Sequence, residues 1–305
     1  MKAGASPRST SFEVTDSPAR AIAARTRGHS HGPITRLMSP SDLGRVIKPF
    51  VFLDLFEGDM KAMAAGMGLH PHSGIATVTV FTKGDVCYDD PTDGQGTLTF
   101  GGVEWMRASG GVWHGKELSA GKSARMQGFQ LWLAMPPHLE NEAPYSQYIE
   151  AEHIQTSGPA HIVVGDYEGV SSPVIAPDGV NYLLIRLEPG EQWTYRPPEG
   201  HSVAWLAMAE GMLCCDEVFS GGDMIVFRPS EDPIPLTALG DEPAIFVLGS
   251  AVPHPHDLHL GYYSVHTSAE ALARGERRIA ELGRMLGEAG DRTTGSGSTP
   301  VFKGN

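Results

Sequence analysis

Residues 68–84 read GLHPHSGIATVTVFTKG, a His-x-His pair followed by a run of alternating apolar and β-branched residues. Such alternation is typical of a β-strand, and residues two apart on a strand project from the same face. We therefore expect His70 and His72 to project together at the mouth of a strand. On its own, a pair of this kind is a weak signal for a metal site, because most isolated pairs are ordinary polar residues.

Similar strand-like runs, separated by Gly, Pro, Asp or Asn, fill both halves of the chain. The first half contains PFVFLDLF, IATVTVFT, GTLTFGGVEWM and GFQLWLAM, and the second contains HIVVGDY, VNYLLIRLEPG, SVAWLAMAEG, DMIVFRP and AIFVLGS. This texture predicts an all-β fold, either a sandwich or a barrel. VTVFTKG in the first half matches AWLAMAEG in the second, and GGVEWM matches GGDMIVF, so we expect two copies of one barrel.

One segment near the C-terminus has a helical pattern instead. Ser268 is suited to cap a helix that ends near Ala289, and apolar residues recur at helical spacing at Leu272, Ile279, Leu282 and Leu286. The predicted organisation is a disordered N-terminus at residues 1–12, one barrel domain at 13–150, a second at 151–290 that includes this helix, and a flexible tail at 291–305.

Composition excludes several classes of function. The formal net charge of −13 across 305 residues, without a basic block, argues against direct binding to nucleic acid or an anionic membrane. The three cysteines, Cys87, Cys214 and Cys215, form no CxxC motif, which disfavours a disulfide framework and a zinc knuckle. Cys214 and Cys215 are expected to be core thiols. A cytoplasmic protein without a secretory signal or membrane span is predicted.

A third histidine strengthens the metal hypothesis. His114 follows a Gly-Gly pair in GGVWHGKEL, at the start of another strand. In a closed barrel, that strand can lie opposite the one carrying His70 and His72. Three convergent histidines would then form a facial site with positions open to water or substrate. Glu104 and Gln130 are candidate substrate-binding residues that could also hydrogen-bond to the histidines.

The remaining histidines are weaker candidates. His254 and His256 repeat the His-x-His spacing, with His259 nearby, but they follow the last strand of the second domain and are expected in an exposed loop. The second barrel itself shows no His-x-His pair, and its stretch EQWTYRPPEGHSVAW keeps only His201, so no metal is expected there. The tryptophans Trp105, Trp113 and Trp132 are expected to fill the core or a pocket wall.

At this point the sequence resembles a known family. PFVFLDLF, LHPHSGIATVTVFTKGDV, GGVEWMRASGGVWHGKE and GFQLWLAMP resemble, in order and spacing, the N-terminal half of the pirin family within the cupin superfamily, from about Lys48 to Tyr148. The resemblance implies a bicupin, with two barrels face to face and one metal ion, usually iron, in the N-terminal barrel. Some pirins oxidise flavonols such as quercetin, and some act as redox-sensitive regulators through protein partners.

The family's metal ligands are a His-x-His pair and a later His-x-Glu. By resemblance, His70, His72 and His114 are ligands, but the glutamate falls on Lys116, and a further acidic position falls on Ala76. Strand alternation sends Glu117 to the opposite face unless a bulge turns it inward, so it is expected to lie outside the pocket.

Two functions therefore remain open. Three histidines can hold iron or another divalent metal for a quercetin 2,3-dioxygenase-like reaction on a flavonol-like small molecule, with Lys116 either directed outward or deprotonated. Lys116 is then a candidate catalytic residue. Alternatively, the pocket is metal-free, Lys116 holds an anionic ligand, and the protein is a binding or regulatory protein with a protein partner.

Overall fold

The computed structural model describes residues 19–59, 62–63, 68–90, 94–115 and 117–289. The predicted all-β fold is confirmed. The strands of the first half are β1 (Ile22–Thr26), β2 (His29–His31), β3 (Ile34–Met38), β4 (Phe50–Asp59), β5 (His70–His72), β6 (Ile75–Lys83), β7 (Val86–Asp90), β8 (Gly94–Leu98), β9 (Val103–Arg107), β10 (Val112–His114), β11 (Leu118–Ala120), β12 (Arg125–Ala134) and β13 (Tyr145–Ile149).

The second half continues the series and ends in a helix. Its strands are β14 (Thr156–Ser157), β15 (Ala160–Val164), β16 (Asp166–Tyr167), β17 (Val170–Ser171), β18 (Val180–Leu187), β19 (Gln192–Tyr195), β20 (Val203–Glu210), β21 (Met212–Cys215), β22 (Glu217–Ser220), β23 (Met224–Phe227), β24 (Ile234–Leu239), β25 (Ala244–Ala251), β26 (His259–Gly261) and β27 (Ser264–His266). Helix α1 spans Ala269–Ala289, and short 3-10 helices span Leu43–Arg45 and Ala151–His153.

Two seven-stranded antiparallel sheets have matching strand orders. The order is β13-β9-β6-β12-β4-β3-β2 in the first and β1-β23-β20-β25-β18-β15-β14 in the second. The matching sequence segments make β6 the equivalent of β20 and β9 the equivalent of β23. In the two sheets, the equivalent strands occupy the same positions in the strand order. Smaller sheets of two to four strands complete the two cupin barrels.

One described segment near each terminus crosses to the other half of the chain. Strand β1 pairs with β23, with Ile22 opposite Phe227 and Thr26 opposite Met224, so it extends the second sheet. In return, helix α1 packs on the first barrel, where the Trp113 indole nitrogen Nε1 donates a hydrogen bond to the Ile279 carbonyl oxygen at 2.8 Å. Strand β1 and helix α1 therefore connect the two barrels.

The outer faces of the two large sheets pack against one another. One buried apolar cluster draws Trp105 and Leu131 from the first sheet and Trp205 and Val247 from the second. The rings of Phe50 and Trp205 meet edge to face, with centroids 5.3 Å apart. Trp105 therefore fills the core between the barrels, as one of the two sequence alternatives predicts.

The barrel interiors differ in polarity. In the second barrel, Leu206, Ile225 and Leu248 belong to a continuous apolar core. On the matching strands β6, β9 and β12, the first barrel places Thr79, Glu104 and Gln130, which line a cavity. Polar side chains cannot fill a barrel centre as apolar ones do, because each needs a hydrogen-bonding partner. The space for chemistry thus lies in the first barrel.

The C-terminal helix forms as predicted, whereas the two adjacent cysteines differ. The Ser268 hydroxyl oxygen accepts a hydrogen bond from the Ala271 amide at 3.1 Å, and Ile279 and Leu282 are buried.

Cys215 is a buried core thiol, but Cys214 is only half-buried, since successive strand residues face opposite sides. The core prediction is therefore confirmed for Cys215 and wrong for Cys214.

Some predicted features lie outside the described residues, namely the two terminal segments at 1–12 and 291–305 and the side chain of Lys116. Within the described part of the chain, no helix is long and apolar enough to cross a membrane.

The buried Arg20 gives a test of how the N-terminal segment is held. Its Nε donates to the Arg228 carbonyl at 2.9 Å and its Nη2 to the Ser202 carbonyl, while its amide donates to the Pro233 carbonyl. Arg20→Ala removes two hydrogen bonds from a buried charged donor, so the free energy of unfolding should fall by about 2–3 kcal/mol in urea denaturation.

The matched control is Arg27→Ala on the same segment. The Arg27 side chain is 61% exposed, and its buried partner Asp223 keeps two hydrogen bonds from Arg25 when Arg27 is removed. We therefore expect a loss of less than about 1 kcal/mol. Equal losses in the two variants would contradict the role assigned to Arg20.

Candidate metal centre

The three candidate histidines lie on a small two-stranded ribbon. Strands β5 and β10 pair antiparallel, which places His70 opposite His114 and His72 opposite Val112. The two strands are therefore hydrogen-bonded neighbours rather than opposite walls of the barrel. The ring centroid of His114 lies 4.5 Å from that of His70 and 5.1 Å from that of His72. The predicted convergence of the three imidazoles is present.

Each ring has its Nδ1 atom engaged by a different acceptor. His70 Nδ1 lies 2.9 Å from the Gly68 carbonyl oxygen, and His72 Nδ1 lies 3.0 Å from the Tyr263 carbonyl oxygen. His114 Nδ1 lies 2.6 Å from Oε1 of Glu117. A proton on each Nδ1 satisfies all three acceptors, which leaves the Nε2 lone pairs available for a cation.

The donor set fits a transition metal. The potential ligand atoms of His70, His72 and His114 lie within 4.8 Å of one another. His114 Nε2 is buried and has no hydrogen-bonding partner among the described residues. An orphaned nitrogen in a buried imidazole cluster is costly unless something occupies the space beside it. Imidazole nitrogens suit zinc, copper, iron and nickel.

The electrostatics keep two of the rings neutral. Burial, with a smaller contribution from His114, lowers the pKa of His70 to about 4. Burial and the neighbouring His114 and His70 rings also lower the pKa of His72 well below its ordinary value. A neutral imidazole is the form that binds a metal, so these two rings need to release no proton near neutral pH.

Glu117 lies inside the pocket, so the expectation that it faces outward is wrong. Its side chain is buried, and besides accepting from His114 it accepts a hydrogen bond from the Gly115 amide at 2.8 Å. The alternation argument fails because β10 ends at His114 and Gly115 has φ of 131°. This conformation suits glycine and breaks the strand period before Glu117.

Glu117 and His114 form a buried charged pair. Burial alone would raise the pKa of Glu117, but His114 and backbone amides more than offset it and lower that pKa. Burial likewise would lower the pKa of His114, yet the Glu117 carboxylate raises it above the ordinary value. The carboxylate thus fixes the Nδ1 proton of His114 and supplies its counter-charge.

Glu104 and Gln130 both line the cavity beside the histidines. The Glu104 carboxylate forms a second cluster with His114 and Glu117, whose potential ligand atoms lie within 4.8 Å of one another. Burial, followed by the nearby Glu117 carboxylate, raises the pKa of Glu104. Glu104 therefore faces the interior, and it retains its proton at a higher pH than an ordinary carboxylic acid does.

Two spaces adjoin the histidines, and both are bordered by His70, Asp54 and Gln130. The inner cavity, of about 90 Å³, also contacts His114. The outer groove, of about 500 Å³, contacts His72. Only the groove is in the size range of pockets for drug-sized ligands, about 300–1,000 Å³.

Aromatic rings form the floor of the groove. Trp132 stacks on Phe52 with centroids 4.1 Å apart, and its ring lies 4.9 Å from that of His72. The Arg36 guanidinium lies over the Phe52 ring, 4.1 Å from its centroid, and donates a hydrogen bond to the Asp54 carboxylate. Trp132 is thus a pocket-wall residue, whereas Trp105 lies in the core; the sequence had allowed either position for both.

The other sequence candidates lie elsewhere. Ala76 is buried in the apolar core between the barrels and does not line the pocket. The acidic residue that the family carries at this position would therefore not add a carboxylate to the pocket of this chain. His256 and His259 are exposed and His254 is half-buried, and none belongs to a metal-competent cluster of the described residues. The Tyr263 carbonyl was not foreseen, because every residue carries a carbonyl and its partner His72 is 191 positions away.

The Glu117–His114 pair can be tested by histidine NMR on metal-free protein. In Glu117→Gln the neutral amide no longer stabilises the imidazolium, so burial should dominate and the pKa of His114 should fall below its ordinary value. Ring ¹⁵N shifts followed against pH report this change. Glu140→Gln, which alters another buried His–Glu contact at His266, should leave His114 unaffected. An unchanged midpoint for His114 in Glu117→Gln would refute the pairing.

Comparison with known proteins agrees with this geometry. Residues 33–133 match the pirin family. A pirin-like protein of Caulobacter vibrioides is 27% identical over 229 residues, covering 73% of this chain and 82% of its own. A Pseudomonas aeruginosa protein with the provisional name quercetin 2,3-dioxygenase is 25% identical over 236 residues, with the same coverage of 73% and 82%.

Solved structures share the fold. Quercetin 2,3-dioxygenase from Acinetobacter baumannii superposes with a TM-score of 0.71 at 21% identity, covering 87% of this chain and 98% of its own. The bacterial pirin YhhW from Escherichia coli, in complex with nickel(II), gives a TM-score of 0.55 at 18% identity, covering 77% and 98%. The sequence motifs, the two barrels and these relatives agree, and residues 33–133 form a domain of the pirin family.

Proposed function

We propose that this protein is a metal-dependent oxygenase of the quercetin 2,3-dioxygenase type. His70, His72 and His114 hold a divalent transition metal, and iron is the ion that the family resemblance favours. The observation that carries the proposal is the set of three convergent imidazoles whose Nδ1 atoms are all engaged elsewhere, which leaves Nε2 as the free nitrogen of each ring. Three imidazoles on one side of an ion leave other positions open to ligands.

The groove supports a planar aromatic substrate. Its volume of about 500 Å³ and its wall of Phe52, Trp132 and Tyr263 suit a flavonol-like ring system, whereas the inner cavity of about 90 Å³ is too small for one. A substrate in the groove reaches His70 and His72 directly. Gln130, which borders both spaces, is placed to hydrogen-bond to its polar edge.

The protein residues position the reactants and protons. When bound, the metal supplies the Lewis acidity and redox capacity that dioxygen insertion into an enol requires. Glu117 keeps the proton of His114 on Nδ1 and so keeps Nε2 directed at the site. Glu104, with its raised pKa, holds a proton on its carboxyl group on the inner side of the same histidine.

Metal analysis and oxygen uptake test this function together. Wild-type protein purified without an affinity tag or chelator should contain near-stoichiometric transition metal by elemental analysis, and the iron-loaded form should consume oxygen with at least one flavonol. His114→Ala removes a ligand, and its metal affinity should fall by at least about 100-fold, beyond the loss typical of an outer-shell partner.

The control variant is His254→Ala combined with His256→Ala. It removes a His-x-His pair of the same spacing from outside the site, so its metal content should match that of the wild type. Metal-loaded wild type that consumes no oxygen across a flavonol panel would exclude the dioxygenase function.

A second candidate function rests on Lys116, the position where the family carries a glutamate. A metal-free protein that binds an anionic ligand or a protein partner would account for that lysine. In the dioxygenase proposal, Lys116 remains a predicted catalytic residue.

Lys116→Glu separates the two functions. If three histidines suffice, elemental analysis should give the same metal content for wild type and variant, within about 3-fold, because the ligand set is already complete. Lys116→Gln, which removes the charge without adding a ligand, is the matched control. An empty wild type together with a metal-filled Lys116→Glu variant would favour the metal-free binding protein.

A further inference from the structure

The segment that follows the second barrel returns to the metal centre of the first. Strands β26 and β27 form a hairpin, here called the C-terminal hairpin (residues 259–266), with Tyr262 and Tyr263 at its turn. These two residues and Leu260 form one side of the groove beside His70 and His72. The hairpin is therefore a wall of a site whose histidines all come from the other half of the chain.

The histidine ribbon needs external support. Strands β5 and β10 contain three residues each and, among the strands of the described residues, pair only with one another. A two-stranded ribbon of this size is not stable by itself in water. Helix α1 covers it on one side, where Gly111 and Trp113 contact Ile279. The C-terminal hairpin covers the end that carries His72.

The hairpin is locked to the residue after His72 by buried hydrogen bonds. The Ser73 hydroxyl contacts the Ser264 hydroxyl at 2.9 Å and His266 Nε2 at 3.0 Å, and the Val265 amide donates to the Ser73 carbonyl at 3.3 Å. Glu140 accepts hydrogen bonds from the Thr267 amide and hydroxyl at 2.7 and 2.8 Å. The position of the turn is thus fixed relative to the ligand strand.

The backbone of Tyr263 has an unusual conformation at this point. Its φ is 51°, in the left-handed region that a bulky side chain rarely adopts. This conformation accompanies the contact of its carbonyl oxygen with His72 Nδ1 at 3.0 Å. The Tyr263 ring lies 5.8 Å from that of His70 and 5.9 Å from that of His72. One residue therefore contributes both a backbone acceptor and an aromatic surface.

We propose that Tyr263 has two separable roles, as a positioning residue for His72 through its carbonyl and as a specificity-determining residue for planar aromatic ligands through its ring. The positioning role holds for any metal bound by the three histidines. The specificity role rests on the proposed oxygenase function. Both roles place part of the site's selectivity in the C-terminal hairpin.

Two variants separate the carbonyl from the ring. Tyr263→Gly and Tyr263→Pro both remove the ring, but glycine adopts a φ of 51° readily whereas proline is confined near −65°. With Ni²⁺ alone as the probe, Tyr263→Gly should keep the wild-type affinity within about 3-fold. Tyr263→Pro should weaken it by about 10–100-fold, the loss typical of removing a partner of a ligand histidine. Equal affinities for the two variants would overturn the positioning role.

A measurement on the wild type keeps this test decisive even if Tyr263→Pro fails to fold. In metal-free protein, ¹⁵N NMR should find His72 in the Nδ1–H form at neutral pH, with its signal assigned by comparison with His72→Gln. A predominantly Nε2–H form would overturn the positioning role. Circular dichroism of each variant establishes whether it is folded.

Ligand binding to the metal-loaded variants tests the ring. Quercetin should bind Tyr263→Phe as tightly as the wild type and Tyr263→Gly about 3–10-fold more weakly, as expected from the loss of one aromatic contact. Equal binding by all three proteins would overturn the specificity role. A wild type that binds quercetin but consumes no oxygen would refute the proposed oxygenase while leaving both roles of Tyr263 supported.

Discussion

The candidate site depends on one constraint. Each of the three histidines needs a hydrogen-bond acceptor for its Nδ1–H group, so that the Nε2 lone pair of each ring stays free for a metal ion. The acceptors come from three different places, namely the Gly68 carbonyl before the ribbon, the Glu117 carboxylate after it and the Tyr263 carbonyl from the far end of the chain. Removing any one of them would free a ring to rotate or to change tautomer. The return of the C-terminal hairpin to the first barrel is therefore also a requirement of the site.

The two barrels show how one architecture supports either a core or a site. Their large sheets have the same strand order, but Thr79 and Gln130 line a cavity where Leu206 and Leu248 fill the second interior. The outer faces are apolar in both, because each barrel covers the other. Only the inner positions can change polarity without opening the interface, which is why chemistry is possible in one barrel while the other remains a packed support.

The strand runs, the repeat and the three histidines were predictable because they depend on local period and spacing. Glu117 was not, because the period of two holds only within a strand and Gly115 interrupts it directly after His114. Tyr263 was not predictable for a different reason. Its contribution is a carbonyl oxygen, and fixing that atom requires the Ser73, Ser264 and His266 contacts of the folded chain. Period predicts which face a residue occupies, but not which distant backbone atom reaches it.

Charge balance connects the metal-free and metal-bound states of the pocket. Pairing with His114 lowers the pKa of Glu117, and pairing with Glu117 raises the pKa of His114. The metal-free site therefore already holds a positive charge beside the Glu117 carboxylate. A cation bound by the three Nε2 atoms would displace a proton from His114 Nε2, while the Nδ1 proton would stay on His114 and donate to the Glu117 carboxylate. The bound cation thus takes the place of the proton on His114 Nε2, and the buried Glu117 carboxylate has a positively charged neighbour in both states. In the metal-free site, burial and the Glu117 carboxylate raise the pKa of Glu104, which disfavours a second buried negative charge beside the first.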